Sequence, residues 1–409
     1  MLVALIPLFD ENMAVRAYSI FAQKDNFFLD PMMQGTRQND GAAAVFGLEL
    51  IEEMGIGTIS EDSEIFVPVS NISIFSDVQE QCKAPHGRIV FLIDNTIPPV
   101  EMYVKRLREL KNMGYKLAVR KLPVSDFENY GEVLKLMDYV LLNNRKIAID
   151  KAKIYFGKLY PNVKLVAGNI SDMGAFERLK AVGGYQLYEG DFYRVPVTKG
   201  NHEISPLKVN YIALMNSVNS ENFDLADVSE IIGRDPALTI SLLQMVNRMT
   251  INSGISTIRH AAAMLGQKEL RKWINTAVVK EMYSDKPSEI TRLSLLRAKF
   301  AESLAAAFDM QAKQEELFLM GLVSVLDVIL EKPMQEALEM VKVTGEVSDA
   351  LVKGEGDLAK VLNLMMQYEN ANWQEVTRLM LLADVDLSVI NDCYVKSLKW
   401  YRELMYGKN

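Results

Sequence analysis

Apolar and polar positions alternate with two different periods along this chain, and the change between them falls near residue 200. Before it, short apolar runs such as LVALIPL (2–8), EIFVPVS (64–70), GRIVFLID (87–94), KLAVRKL (116–122), DYVLLNN (138–144), VKLVAGNI (163–170) and YQLYEGDF (185–192) read as strands. The first run and AVRAYSIFA (14–22) flank Asp10-Glu11-Asn12, a turn-forming cluster, and predict a hairpin. Between the later runs lie segments of helical spacing: GAAAVFGLELIEEMG, VEMYVKRLRELKNMG opened by Pro98-Pro99 and stopped by Gly114, a segment near 129–137, 148–158, and SDMGAFERLKAVGG. Strands alternating with helices predict a parallel sheet, and so many repeats favour a closed barrel with its site at the C-terminal strand ends.

After Pro196 the segment VTKGNHEISP is polar, with Gly200 and Pro206, and reads as a linker over 198–206. From Leu207 onward, LADVSEIIG, PALTISLLQMVN, TIRHAAAMLG, KELRKWINTAVVKEM, ITRLSLLRAKFAESLAAAF and EELFLMGLVSVLDVIL all carry apolar i, i+3, i+4 spacing. Asp235-Pro236 predicts a helix start, Ser256 a similar cap, and Gly266 the end of that short helix. The expectation is two domains: an α/β barrel over 1–197 and an all-helical domain over 207–409.

Composition narrows the function classes. Hydrophobic content of 49 % with 24 % charge is that of a globular protein, and no apolar run approaches the roughly 20 residues of a membrane span. MLVALIPLFDENM has no basic leader, so no signal peptide is expected, and Cys82 and Cys393, far apart in sequence, point to a reducing cytoplasm. A net charge of −8 argues against a nucleic-acid partner. The histidines His86, His202 and His260 stand at no metal-ligand spacing, and no phosphate-cradling glycine loop is present.

The segments AYSIFAQ (17–23), GYKLAVRKL (114–122) and YQLYEGDFYRVP (185–196) resemble the signature strands of the EAL fold, a modified TIM barrel found in cyclic di-GMP phosphodiesterases. GRDPALTISLLQMVN (233–247) and ISTIRHAAAMLGQKELRKWI (255–274) are similar to the most recognisable segments of HDOD domains. Together they resemble the bacterial family that fuses the two. The resemblance implies a two-metal phosphodiesterase site, whose acidic ligands this chain replaces. The signature glutamate falls at Ser19, the next at Phe91 with Asp94 the nearest acid, and the paired aspartates at Arg120 and Lys121. Later ligands fall at Leu141 and Asn143, Gly168 and Ser171, the closing glutamine at Glu189, and a phosphate-binding arginine at Gln23. In the helical half, Ser324 and Val325 stand where related hydrolases carry His-Asp, with Asp327 two residues on.

Exchanging two negative charges for two positive ones reverses the local field, each pair at about 4 Å being worth on the order of 4 kcal/mol at an effective dielectric near 20. The expectation is therefore no metal, no cofactor and no phosphodiesterase activity. The chain reads as a signalling scaffold acting through protein partners; the alternative is a non-hydrolysing receptor for cyclic di-GMP or another nucleotide at the barrel mouth. Alternation lets only one of Arg120 and Lys121 face the interior. Arg234, Asp235, Asn247 and His260 mark a partner surface or, more simply, cap helices and satisfy backbone groups.

Overall fold

The computed structural model describes residues 2–406 apart from 24–43, 148, 197–205, 221–222, 234, 250–256, 283–285 and 342. Eight strands close into one barrel in chain order: β1 Leu2–Phe9, β2 Val15–Gln23, β3 Glu64–Pro68, β4 Ile89–Ile93, β5 Lys116–Val119, β6 Tyr139–Asn143, β7 Lys164–Ile170 and β8 Leu187–Gly190. The expected hairpin is present, its turn held by Asp10, whose carboxylate accepts the Asn12 and Ala14 amides at 2.8 and 3.0 Å. β1 therefore runs antiparallel to both neighbours, while β2 to β8 are parallel.

The inward stripe of each strand fills the lumen. Leu8, Ala17, Phe66, Val90, Leu92, Ala118, Tyr139, Leu141, Val166 and Leu187 form one buried cluster, so the barrel is a packed core rather than a pore. The next inward positions toward the strand starts close the floor. There Lys116 ion-pairs Glu64, and the Tyr139 hydroxyl donates to the other oxygen of the same carboxylate at 2.8 Å. The Lys164 ammonium lies 5.2 Å from the centre of the Tyr139 ring.

The chain forms two compact units, and their division corrects the expected one. Met1–Val195 and Met366–Asn409 make the first, Pro196–Met365 the second. The helical domain expected to run to residue 409 thus ends earlier, and the last helices, Trp373–Ala383 and Leu387–Tyr406, belong to the barrel unit. The reason is visible at β1. It pairs with β8 only at Leu8↔Glu189 and Phe9↔Tyr188, which leaves the rest of that edge without a strand. Pro7, two pairs of residues on from Val3 along the same edge, has no N–H to leave unmet. The Val3 N–H donates to the Tyr368 hydroxyl at 3.2 Å.

In the second unit the helices Ser288–Leu304 and Gln314–Val323 pack at closest range. A Cβ at Gly321 would stand 2.5 Å from the backbone of Arg297 and Ala298, so only glycine permits that approach. Gly266, at φ 73° and ψ 167°, leaves helical geometry and ends the short helix begun at Ile258, as expected; a second helix runs on from there to Met282. The linker expected at 198–206 and the cap expected at Ser256 lie, but for Pro206, outside the described residues. Thr257 caps the helix start, its hydroxyl accepting the His260 amide at 3.3 Å. Among the described residues no helix is long and apolar enough to cross a membrane.

Candidate functional site at the barrel mouth

Two residues beyond the apolar stripe, at the C-terminal strand ends, alternation turns inward Ser19 of β2, Asp94 after β4, Arg120 after β5, Asn143 of β6, Gly168 of β7 and Glu189 of β8. Ser19 is fully buried, and among the described residues its hydroxyl has no hydrogen-bond partner. One oxygen of the Asp94 carboxylate is engaged locally, Oδ1 accepting the Thr96 amide at 3.0 Å and its hydroxyl at 2.6 Å. Asn143 Oδ1 likewise accepts the Arg145 amide at 3.0 Å.

Arg120 is the centre of this end. Its backbone is pinned by the Arg120 amide donating to the Ile93 carbonyl at 3.0 Å, and its guanidinium lies 4.7 Å from the centre of the Phe21 ring. The side chain is half-buried, and loss of water lowers its pKa against the attraction of Glu189 and Asp94. Among the described residues it has no hydrogen-bond acceptor or ion-pair partner within reach. Burial raises the Glu189 carboxyl above the ordinary carboxylate value, opposed by Arg120. Glu189 is held in place by Gly190, whose φ of 153° and contact with the Ile170 backbone admit no side chain. A register irregularity between Ala167 and Ile170 marks the same point on β7.

Several expected positions fall elsewhere. Phe91 points outward, against Tyr115 at 4.8 Å, because β4 turns Val90 and Leu92 inward; the mouth position on that strand is Asp94. Leu141 sits one layer deeper, in the apolar cluster. Lys121, at φ 58°, is exposed, so Arg120 alone of that pair faces the mouth. Ser171 is exposed and donates to Asp172 at 2.7 Å. Gln23 ends β2, paired with Leu2. Phe21 was not singled out by sequence reasoning, although its parity with Ser19 gives its inward direction.

In the helical unit, Asp235 Oδ1 accepts the Leu238 amide at 3.1 Å and its other oxygen accepts the Tyr211 hydroxyl at 3.2 Å. Asn247 and His260 are exposed, and Arg234 lies outside the described residues. Where His-Asp would stand, the Ser324 hydroxyl donates to the Gly321 carbonyl at 2.7 Å and accepts from Arg297 at 3.1 Å. Burial raises the nearby Asp327 carboxyl, opposed by its own turn and by Arg297.

Residues 204–352 match the HDOD domain family. The chain is 28 % identical over 325 residues to the cyclic di-GMP phosphodiesterase CdgJ of Vibrio cholerae, covering 78 % of this chain and 74 % of that one. It is 24 % identical to the uncharacterized protein YuxH of Bacillus subtilis over 99 % of both. Among solved structures the EAL domain of Mycobacterium smegmatis DcpA aligns with 46 % of this chain and 89 % of its own, at 15 % identity and TM-score 0.36. An EAL protein of Vibrio cholerae O395, solved with cyclic di-GMP, covers 47 % and 90 % at 15 % identity and TM-score 0.33.

The relation to a cyclic di-GMP phosphodiesterase overturns the expectation that the chain is not an enzyme. Changed donors at one strand end do not exclude turnover. The donors named above do not fit a pair of dications: two carboxylates, one with an oxygen already engaged by Thr96, share the mouth with a guanidinium. Among the described residues no group of three or more His, Cys, Asp or Glu could hold a metal ion.

Proposed function

We propose that this chain, an EAL-like barrel followed by an HDOD domain, works in bacterial cyclic di-GMP signalling and binds the dinucleotide at its barrel mouth through Arg120. What carries the reading is the contrast between the two ends of the barrel. At the floor, Lys116 is met by a carboxylate in direct contact. At the mouth, the Arg120 guanidinium carbon lies 4.7 Å from the centre of the Phe21 ring, and its N–H groups are unmet among the described residues. A guanidinium fork matches phosphate oxygens in pairs, and partial removal from water strengthens each such bond. The HDOD domain, with Ser324 and Val325 at the His-Asp places, supplies contacts to protein partners.

Calorimetric titration of the full chain with cyclic di-GMP tests this, with and without Mg²⁺ or Mn²⁺ and followed by a hydrolysis assay. The expected result is saturable binding that Arg120→Ala weakens about 10- to 100-fold, the worth of charge-assisted hydrogen bonds. Absence of binding, or equal binding by a folded Arg120→Ala variant, refutes the assignment. Metal-dependent hydrolysis would locate the metal donors outside the mouth residues named here.

A further inference from the structure

The helical unit contains a cavity of about 610 Å³ that the barrel chemistry does not use. Small-molecule sites commonly enclose roughly 300–1,000 Å³. One wall is a single helix face beyond the Gly266 kink, carrying Lys268, Arg271, Lys272 and Asn275 at i, i+3, i+4 and i+7. Glu302, Glu315 and Phe318 line it from the two close-packed helices.

Three acids line the cavity, Glu302, Glu315 and Glu316, and the two that ion-pair with the cationic face, Glu302 and Glu315, differ in kind. Glu302 is clasped by Lys272 at 2.5 Å and Lys299 at 2.6 Å. Burial works to raise its carboxyl, and these hydrogen bonds prevail and hold it below the ordinary value. It is a fixed part of the wall. Glu315 is 42 % exposed and bridges two cations loosely, 3.7 Å from Lys268 and 3.2 Å from Arg271. Pairs this exposed are weak, so its carboxylate leaves at little cost.

Removing that carboxylate uncovers a cradle for an anion between Lys268 and Arg271. Arg271 is oriented by the Phe223 ring, whose centre lies 5.6 Å from its guanidinium carbon, and its Nε is shielded from water with no acceptor among the described residues. Phe318 is part of the cavity lining, with the Lys272 ammonium 4.9 Å from its ring centre. At the inner end the Asn219 and Asn275 amides exchange hydrogen bonds at 3.1 and 2.9 Å. Each amide has two N–H groups and a two-lone-pair oxygen, so each keeps one N–H for a ligand.

We propose that this cavity binds a nucleoside monophosphate. The phosphate displaces Glu315 from between Lys268 and Arg271, the base lies along Phe318, and its polar edge meets the Asn219–Asn275 pair. Glu315 acts as the chain's own stand-in for the phosphate. The site is independent of Arg120.

The test uses the full chain and AMP, with adenosine and inorganic phosphate as its two halves, by calorimetry. AMP is expected to bind more tightly than either half. Arg271→Ala is expected to weaken it about 10- to 100-fold. Glu315→Gln removes the competing charge and is expected to tighten it about two- to five-fold. Arg120→Ala is expected to leave AMP binding unchanged, and Glu315→Gln to leave cyclic di-GMP binding unchanged, which separates this site from the barrel mouth. AMP binding no better than inorganic phosphate overturns the proposal, as does loss of AMP binding in Arg120→Ala. Should Arg271→Ala not fold, the half-exposed Glu315→Gln still decides: weaker or unaltered AMP affinity refutes displacement.

Discussion

Replacing Tyr368 by Phe removes one oxygen from the barrel unit and nothing else. Val3 and Tyr368 are both fully buried, the β1 edge at Val3 pairs with no strand among the described residues, and the Val3 N–H donates to the Tyr368 hydroxyl. The phenylalanine ring keeps the contacts of Tyr368 with Trp373 at 5.4 Å and Tyr394 at 4.8 Å, so no cavity opens. A buried donor left unpaired costs about 1–3 kcal/mol. For a unit of this size each kcal/mol lowers Tm by about 2–4 °C, which gives a fall of roughly 2–12 °C. Burial holds the Tyr368 hydroxyl well above its ordinary pKa, so it stays protonated and the loss should not vary across neutral pH. Denaturation of the full chain measures the loss, and native-state hydrogen exchange at the Val3 amide locates it. An unchanged midpoint together with unchanged exchange at Val3 would show that Tyr368 does not seal this edge.

Three further outcomes are expected. Gly321→Ala forces apart two helix backbones and should destabilise the helical unit by at least about 1–3 kcal/mol in urea unfolding; a neutral variant would mean the helices do not cross so closely. The Glu302 carboxyl is held below 4.5, so the stability it contributes is complete above that pH and disappears as pH falls through its lower folded value. Acid titration of unfolding should show this step in the parent and not in Glu302→Gln. At the mouth, burial raises the Glu189 carboxyl above its ordinary value, opposed by Arg120. Its protonation removes a charge repelling phosphate, so cyclic di-GMP affinity should rise as pH falls through that raised value, and Glu189→Gln should flatten the profile.

The fold was legible where one period dominates. β4, β6 and β7 are nearly unbroken apolar runs because both faces of a parallel barrel strand are covered, and the hairpin turn announces itself in Asp10. Strand alternation also foretold that one of Arg120 and Lys121 would face inward. It was misapplied at Phe91, where the parity of Val90 and Leu92 already points to Asp94. The affiliation of the last helices was not legible, since amphipathic spacing says that a helix has an apolar face and not what covers it. Nor was the helical cavity: its cations share one helix, but the acids and rings opposing them come from other helices. Only packing brings these together.

The barrel unit is discontinuous in sequence, and this sets the order in which the molecule can be made. Val3 leaves the ribosome before the tyrosine that receives its amide, which follows 365 residues later. At about 5–20 residues per second, the first strand spends roughly 20–70 s of synthesis without that partner. The whole of Pro196–Met365 is translated in the meantime and is free to fold first. The usual order, in which the N-terminal unit is finished before the next begins, is inverted, so a nascent chain stalled before residue 366 would carry a complete helical unit and an unsealed barrel.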